Sequence, residues 1–257
     1  MAEYLTNTSE LTAVADAIRT KGGTTAQLSY PVGFVSAISA IETGGGGGYT
    51  IDDIAERNMM SGSIYGSSAS YIRSYAFYMC NSLTEASFPM VTSIGEQAFC
   101  SCSGLTTISF PMVTSIGTSA FSACSSLTAA RFPSATSIDS NAFRSCIGLT
   151  TASFPAATSI GNAVFMGCSS LSIVNIPVAT SIGSSVFRSC IKLLELCLNN
   201  TSIVPTLGIN AFSNTPIGGY TASTGGVYGS VYVPASLYSS FLTATNWSSI
   251  SARIVSV

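Results

Sequence analysis

The stretch FPMVTSIGEQAFCSCSGLTTIS, Phe88 to Ser109, is followed at once by FPMVTSIGTSAFSACSSLTAAR, Phe110 to Arg131. Phe-Pro stands at 88–89, 110–111, 132–133 and 154–155 and becomes Ile-Pro at 176–177. Cysteine keeps the same beat at Cys80, Cys102, Cys124, Cys146, Cys168 and Cys190, and leucine at Leu83, Leu105, Leu127, Leu149, Leu171 and Leu193. A fixed period of this length, with apolar residues in fixed columns, specifies a solenoid. One unit cannot bury its apolar side alone, so neighbours stack into one continuous core.

The columns predict the path of each turn. In LTTISF (Leu105 to Phe110), Ile108 and Phe110 alternate with Thr107 and Ser109, the pattern of a half-buried strand. Proline ends it, having no N–H for a ladder. TSI reads as a second short extended piece. The glycines after it, Gly95, Gly117, Gly161 and Gly183, with Asp139 once in their place, are expected at positive φ. Phe99, Cys102 and Leu105 fall three apart, which suits short helical turns. Six or seven turns stacked at ~4.8 Å give a rod roughly 30 Å long. Four or five large apolar side chains per turn, each contributing ~1.5–3 kcal/mol on burial, hold it without disulfides.

The ends differ from the middle. Ile64 lies one period before Ala86, and Ile72 one period before Ile94, so a degenerate first turn opens the array. In the tail, GSVYVP reads as a closing strand and SLYSSFLTATNW as a helix that packs Leu237, Phe241 and Trp247 against the end of the rod. Near the amino terminus, Leu11, Val14 and Ile18 make one helix face and Phe34, Ile38 and Ile41 a second, with Ser9 as cap and Lys21-Gly22-Gly23 as stop. Helices this short are marginal alone and gain by packing on copies of themselves or on another protein. The chain thus divides into a helical docking or oligomerisation hairpin (1–43), a flexible glycine linker (44–48), a solenoid with its N-terminal cap (49–200) and a C-terminal capping segment (201–257).

The columns FPxxTSIGxxAFxxCxxLTxxx resemble the BspA-like, or Treponema-type, leucine-rich repeats over about residues 60–200. The resemblance implies a leucine-rich repeat solenoid of short β-strands and short helical turns. VYVPASLYSSFLTATNWSSISARI is similar to a closing segment found after such repeats in proteins of gut Firmicutes and their prophages, although YSSF stands where that segment has a Tyr-Lys pair. Residues 9–41, SELTAVADAIRTKGGTTAQLSYPVGFVSAISAI, resemble an N-terminal module of structural and tail proteins of Firmicutes phages.

Composition narrows the function. Only 8% of residues are charged, the net charge is −2 and there is no histidine. The commonest general base and neutral metal ligand are therefore missing, and no attraction to nucleic acid or an anionic membrane is expected. No apolar run reaches the ~20 residues of a membrane-spanning helix, and the amino terminus lacks the pattern of a secretory signal. No Cys-x2-Cys spacing suggests a metal, and the six periodic cysteines are expected to fill a buried column. Cys100, two residues before Cys102, sits in a variable column (Tyr78, Ser122, Arg144, Met166, Arg188) and is expected at the surface, as is Cys197. Asp52, Asp53, Glu56 and Arg57 lack calcium-loop spacing and read as a solvated face. No catalytic, cofactor or metal residues are assigned.

The outward strand positions form the candidate binding face. One row reads Glu85, Thr107, Ala129, Thr151, Ile173, Glu195; the next reads Ser87, Ser109, Arg131, Ser153, Asn175, Cys197. Such rows serve as extended binding surfaces in repeat proteins, and this one, small and polar, suits weak contacts in many copies. The leading expectation is a non-enzymatic phage or prophage virion component of the tail-fibre or receptor-binding type. It would assemble in the bacterial cytoplasm, as a homo-oligomer held to other tail proteins through 1–43, and contact a protein or glycan receptor on the host. The alternative is a BspA-like adhesin or interaction module on a bacterial surface.

Overall fold

The computed structural model describes residues 62–66 and 69–257. The expected hairpin 9–41, the linker 44–48 and the acidic stretch 51–58 lie outside the described residues.

The described chain winds as a stack of parallel strands in which each repeat adds two strands. Numbered in chain order, the longer strands are β1 (Gly62–Tyr65), β3 (Leu83–Ser87), β5 (Thr107–Ser109), β7 (Ala129–Arg131), β9 (Thr151–Ser153), β11 (Ile173–Asn175), β13 (Glu195–Cys197), β15 (Ser230–Val233) and β16 (Ile254–Ser256). The TSI pieces give two-residue strands β2 (Tyr71–Ile72), β4 (Ser93–Ile94), β6 (Ser115–Ile116), β8 (Ser137–Ile138), β10 (Ser159–Ile160), β12 (Ser181–Ile182) and β14 (Thr206–Leu207). The seven short strands form one parallel sheet in simple order. All pairings hold the same register, so that Ile94 lies on Ile116 and Ile116 on Ile138. This is the expected solenoid, but longer than the six or seven turns expected, since nine longer strands stack along it. The degenerate first turn joins it as the spacing indicates, with Ile64 paired to Ala86 and Ile72 to Ile94.

The core is columnar. Phe77, Phe99, Phe121, Phe143, Phe165, Phe187 and Phe212 stack with centroids 4.9–5.8 Å apart. A second column, Phe88, Phe110, Phe132 and Phe154, runs beside it. From Phe77 to Phe165, rings of the two columns meet at tilts of 42–60°. The six periodic cysteines are buried in the same core as free thiols. From Cys102 onward each donates its S–H to the carbonyl of a phenylalanine one turn back, at 2.9–3.1 Å. Outside the core, Thr92, Thr114, Thr136, Thr158 and Thr180 each donate a hydroxyl to the backbone carbonyl one period earlier.

The segment after each glycine is helical only in the tight sense. Ala98, Cys100 and Cys102 N–H bond back three residues, to Gly95, Gln97 and Phe99 carbonyls. The alternate donors, Gln97, Phe99 and Ser101, bond instead to the next turn, at Thr118, Ala120 and Ser122. This alternation needs left-handed backbone at two places per turn, for example Gln97 (φ 51) and Ser101 (φ 62), Ser119 and Ala123, Asn141 and Ser145.

The glycine column corrects one expectation. Gly95, Gly117, Gly161 and Gly183 are not at positive φ, nor is Asp139. Their reason is contact: a Cβ on Gly117 would lie 2.8 Å from the backbone carbon of Gly95, and one on Gly161 2.7 Å from the Ser140 nitrogen. Glycine lets the corner of one turn sit directly on the corner below.

The longer strands break once. β1, β3 and β5 form one sheet and β7 to β16 another, with no ladder between β5 and β7. Bonds that recur elsewhere, Thr106 N–H to Thr84 and Phe88 N–H to Ser109, have no counterparts at Thr128 and Phe110. The Phe110–Phe132 spacing is 6.0 Å, against 5.7 Å before it and 5.6 Å after. At this seam Ile108 is only partly buried, where Ala86, Ala130 and Ala152 in the same column are fully buried.

The tail continues the stack. β14 adds to the short-strand sheet and β15 to the other, but β16, not β15, is the last strand. Helix α1 (Tyr238–Thr243) lies between β15 and β16, and Phe241 and Trp247 are fully buried, with Leu237 partly so. Trp247 contacts Phe212, the last ring of its column, at 6.0 Å and donates its indole N–H to the Pro205 carbonyl.

Candidate binding face

The strand register brings the two predicted rows together on one face. Glu85 pairs with Thr107, Ala129 with Thr151, Thr151 with Ile173, and Ile173 with Glu195. Ser87 pairs with Ser109, Arg131 with Ser153, Ser153 with Asn175, and Asn175 with Cys197. The residues between the rows, Ala86, Ala130, Ala152, Val174 and Leu196, point inward and are buried. The rows are half-buried to exposed, Ile173 being the exposed apolar member. Across turns within these rows, Asn175 Nδ2 donates to Ser153 Oγ at 3.4 Å.

The structure lengthens both rows beyond the sequence reading. At the first turn Ser63 pairs with Glu85 and Tyr65 with Ser87. At the far end Ser230 pairs with Glu195 and Tyr232 with Cys197. At its first turn the face carries Tyr65, 54% exposed, and near its far end Tyr232, beyond which β16 adds Val255. Tyr65 was within reach of sequence, because Ile64 already stands one period before Ala86. Tyr232 was hidden, because the tail inserts extra residues and sets it 35 positions after Cys197 rather than 22.

Chemistry is concentrated at the first-turn end. Tyr65 Oη and Ser63 Oγ both donate to Glu85 Oε2, at 2.7 and 2.9 Å. These two donors, the tyrosine first, hold the Glu85 carboxyl below its usual range, because they favour the ionised form. At the opposite end the Arg253 guanidinium lies 3.6 Å from the centre of the Tyr228 ring. The face thus presents hydroxyls, an anchored carboxylate and terminal aromatic rings.

The cysteines lie apart from this. Burial pushes the thiols of Cys102, Cys124, Cys146 and Cys190 up. Cys100 is half-buried rather than at the surface, its Sγ 3.7 Å from Ser101 Oγ, and burial raises its thiol too. Cys197 is half-buried on the face, raised by burial and then by the Glu195 charge. Both are poor nucleophiles at neutral pH. Among the described residues no group of His, Cys, Asp or Glu is arranged to hold a metal, and no helix is long and apolar enough to cross a membrane.

No curated protein matches the chain. Solved structures that resemble it include two leucine-rich repeat proteins. A T. pallidum leucine-rich repeat protein is 27% identical over 65% of this chain and 84% of that one, with a TM-score of 0.55. A leucine-rich cell surface protein of Faecalibacterium prausnitzii is 30% identical over 64% of this chain, with a TM-score of 0.52; the match spans 43% of that protein's length. Residues 70–193 and 114–225 match the BspA type leucine rich repeat region, in six copies. The chain belongs to the BspA-type leucine-rich repeat family.

Proposed function

We propose that the rod is a non-enzymatic module that binds a cell-surface protein or glycan along the strand face, from Tyr65 to Tyr232, in the manner of a bacterial surface adhesin. The carrying observation is the register of the outward rows, kept within β1–β5 and within β7–β15 on either side of the seam, with polar residues lying between Tyr65 and Tyr232. Ordered strands present this surface at little conformational cost, and tyrosine supplies contact area with few rotatable bonds. The cell-surface description of the F. prausnitzii relative supports the same placement. The test is binding of the labelled full chain to intact bacterial cells. Tyr65→Ala with Tyr232→Ala is expected to weaken it by at least about tenfold, as loss of two anchors would. Unchanged binding would remove the strand face from the proposal.

A second reading is favoured by residues 9–41, which resemble phage tail modules and stand before a run of glycines. In it the same rod is a tail-fibre or receptor-binding component, docked or oligomerised through 1–43. Purified phage particles from an induced source strain distinguish the two. Fixed stoichiometry with the capsid protein supports the virion reading; recovery only with the cell envelope supports the adhesin. Light scattering of the full chain against 49–257 tests the oligomer, and two monomers would rule out oligomerisation through the hairpin.

A further inference from the structure

Away from the strand face, the chain repeats one heptapeptide almost unchanged: FRSCIGL at 143–149 and FRSCIKL at 187–193. The two lie two turns apart. Backbone bonds from Ser145 N–H to the Met166 carbonyl and from Gly167 N–H to the Arg188 carbonyl (2.8 and 2.9 Å) set Arg144, Met166 and Arg188 in one row. Ile147 and Ile191 fall in the neighbouring row, with Lys192 beside Ile191. Arg144, Arg188 and Lys192 are exposed, and Ile147 is 52% exposed. The result is an Arg-plus-Ile pair presented twice, about 10 Å apart at two strand spacings.

This ledge is electrostatically isolated. From residue 140 to 194 there is no Asp or Glu, and none of the three cations has a side-chain partner among the described residues. The charge is also divided along the chain: residues 62–257 hold six Arg and Lys against four Asp and Glu, while residues 1–61 hold three against seven. A net charge of −2 therefore conceals a cationic rod.

We infer that this ledge binds an anionic polysaccharide, whose carboxylate or sulfate groups recur along the chain and engage Arg144 and Arg188 while apolar faces of the intervening sugar rings rest on Ile147, Met166 and Ile191. A guanidinium pairs with such an anion through two parallel N–H bonds. The alternation of charge and apolar surface fits a sugar polymer. It does not suit single-stranded nucleic acid, which requires aromatic platforms beside the cations, whereas the aromatic member of these rows, Tyr78, lies three turns from Arg144. The inference concerns a different face from the proposed strand-face site, and either can fail without the other.

The test uses the full chain on immobilised polygalacturonate, with neutral dextran, poly-glutamate and single-stranded DNA as comparisons. Arg144→Ser and Arg188→Ser suit the fold, since Ser122 and Ser213 occupy the same column. Polygalacturonate is expected to retain the wild type in a salt-dependent way. Each single variant should weaken retention roughly two- to fivefold, and the double variant by more than about tenfold. Circular dichroism of the double variant should match the wild type. No retention of the wild type, equal retention by the double variant, or equal retention on dextran would overturn the inference. Stronger binding to poly-glutamate or DNA would also overturn it, in favour of an acidic protein or a nucleic acid.

Discussion

At Gly117 the fold turns on a single missing methyl group. A Cβ there meets the backbone of Gly95 and Glu96 at 2.8–2.9 Å, and backbone atoms cannot step aside as a side chain would. Gly117→Ala is therefore expected to cost about 1–3 kcal/mol, read as a lowered midpoint in urea unfolding. The same substitution at Gly219, where nothing lies within 4 Å, meets no such wall, though its φ of 99° adds strain. The glycine column was legible in the sequence, but its cause was not: periodicity shows that a position is special without showing what it faces. The left-handed residues were hidden for the opposite reason. Tyr75, Gln97, Ser119, Asn141 and Ala163 differ in size and chemistry, because their conformation is imposed by hydrogen bonds to the next turn rather than by residue type.

Among the elements, the thiol column and the seam behave oppositely. The buried thiols of Cys102, Cys124, Cys146 and Cys190 stay protonated in the fold to higher pH than in the unfolded chain. Above the unfolded value of ~8.5 the unfolded chain has therefore released protons that the fold retains, so stability falls as pH rises. The slope per thiol is about 1.4 kcal/mol per pH unit. Urea midpoints are expected to hold from pH 6 to 8 and fall steeply above 9; a flat curve to pH 10 would contradict buried, neutral thiols. The seam is a matter of backbone. Without a β5–β7 ladder, the amides of Phe110 and Thr128 should exchange with deuterium faster than Phe132 and Thr150, whose bonds are intact at 3.1 and 2.9 Å. Equal protection at the four positions would show the ladder closed. Nothing in the sequence marked this break except one isoleucine, Ile108, between alanines of the same column. The candidate face was legible as two rows because its period is constant from 85 to 197, and illegible at Tyr232 because an insertion shifts the count.

For the whole molecule, contacts run only between neighbouring turns, so the rod is a sum of similar interfaces rather than one centre. Deleting residues 154–175 joins Ser153 to Ile176, a junction that keeps every column in phase. The shortened chain is expected to fold cooperatively with a modestly lower melting temperature; loss of cooperative melting would mean that distant turns matter to one another. Deleting four residues instead should abolish folding, since at the junction it sets one phenylalanine column against the threonine column of Thr106 and the other against the glycine column of Gly117.

The near-identity of neighbouring units also bears on inheritance. Tandem segments that encode FPMVTSIG twice in succession are substrates for slippage and unequal exchange during replication. An event confined to such matched segments adds or removes one whole turn, leaves the reading frame and both caps intact, and yields a protein that still folds. A lineage can thus alter how far this rod reaches in steps of about 4.8 Å without passing through an unfolded ancestor.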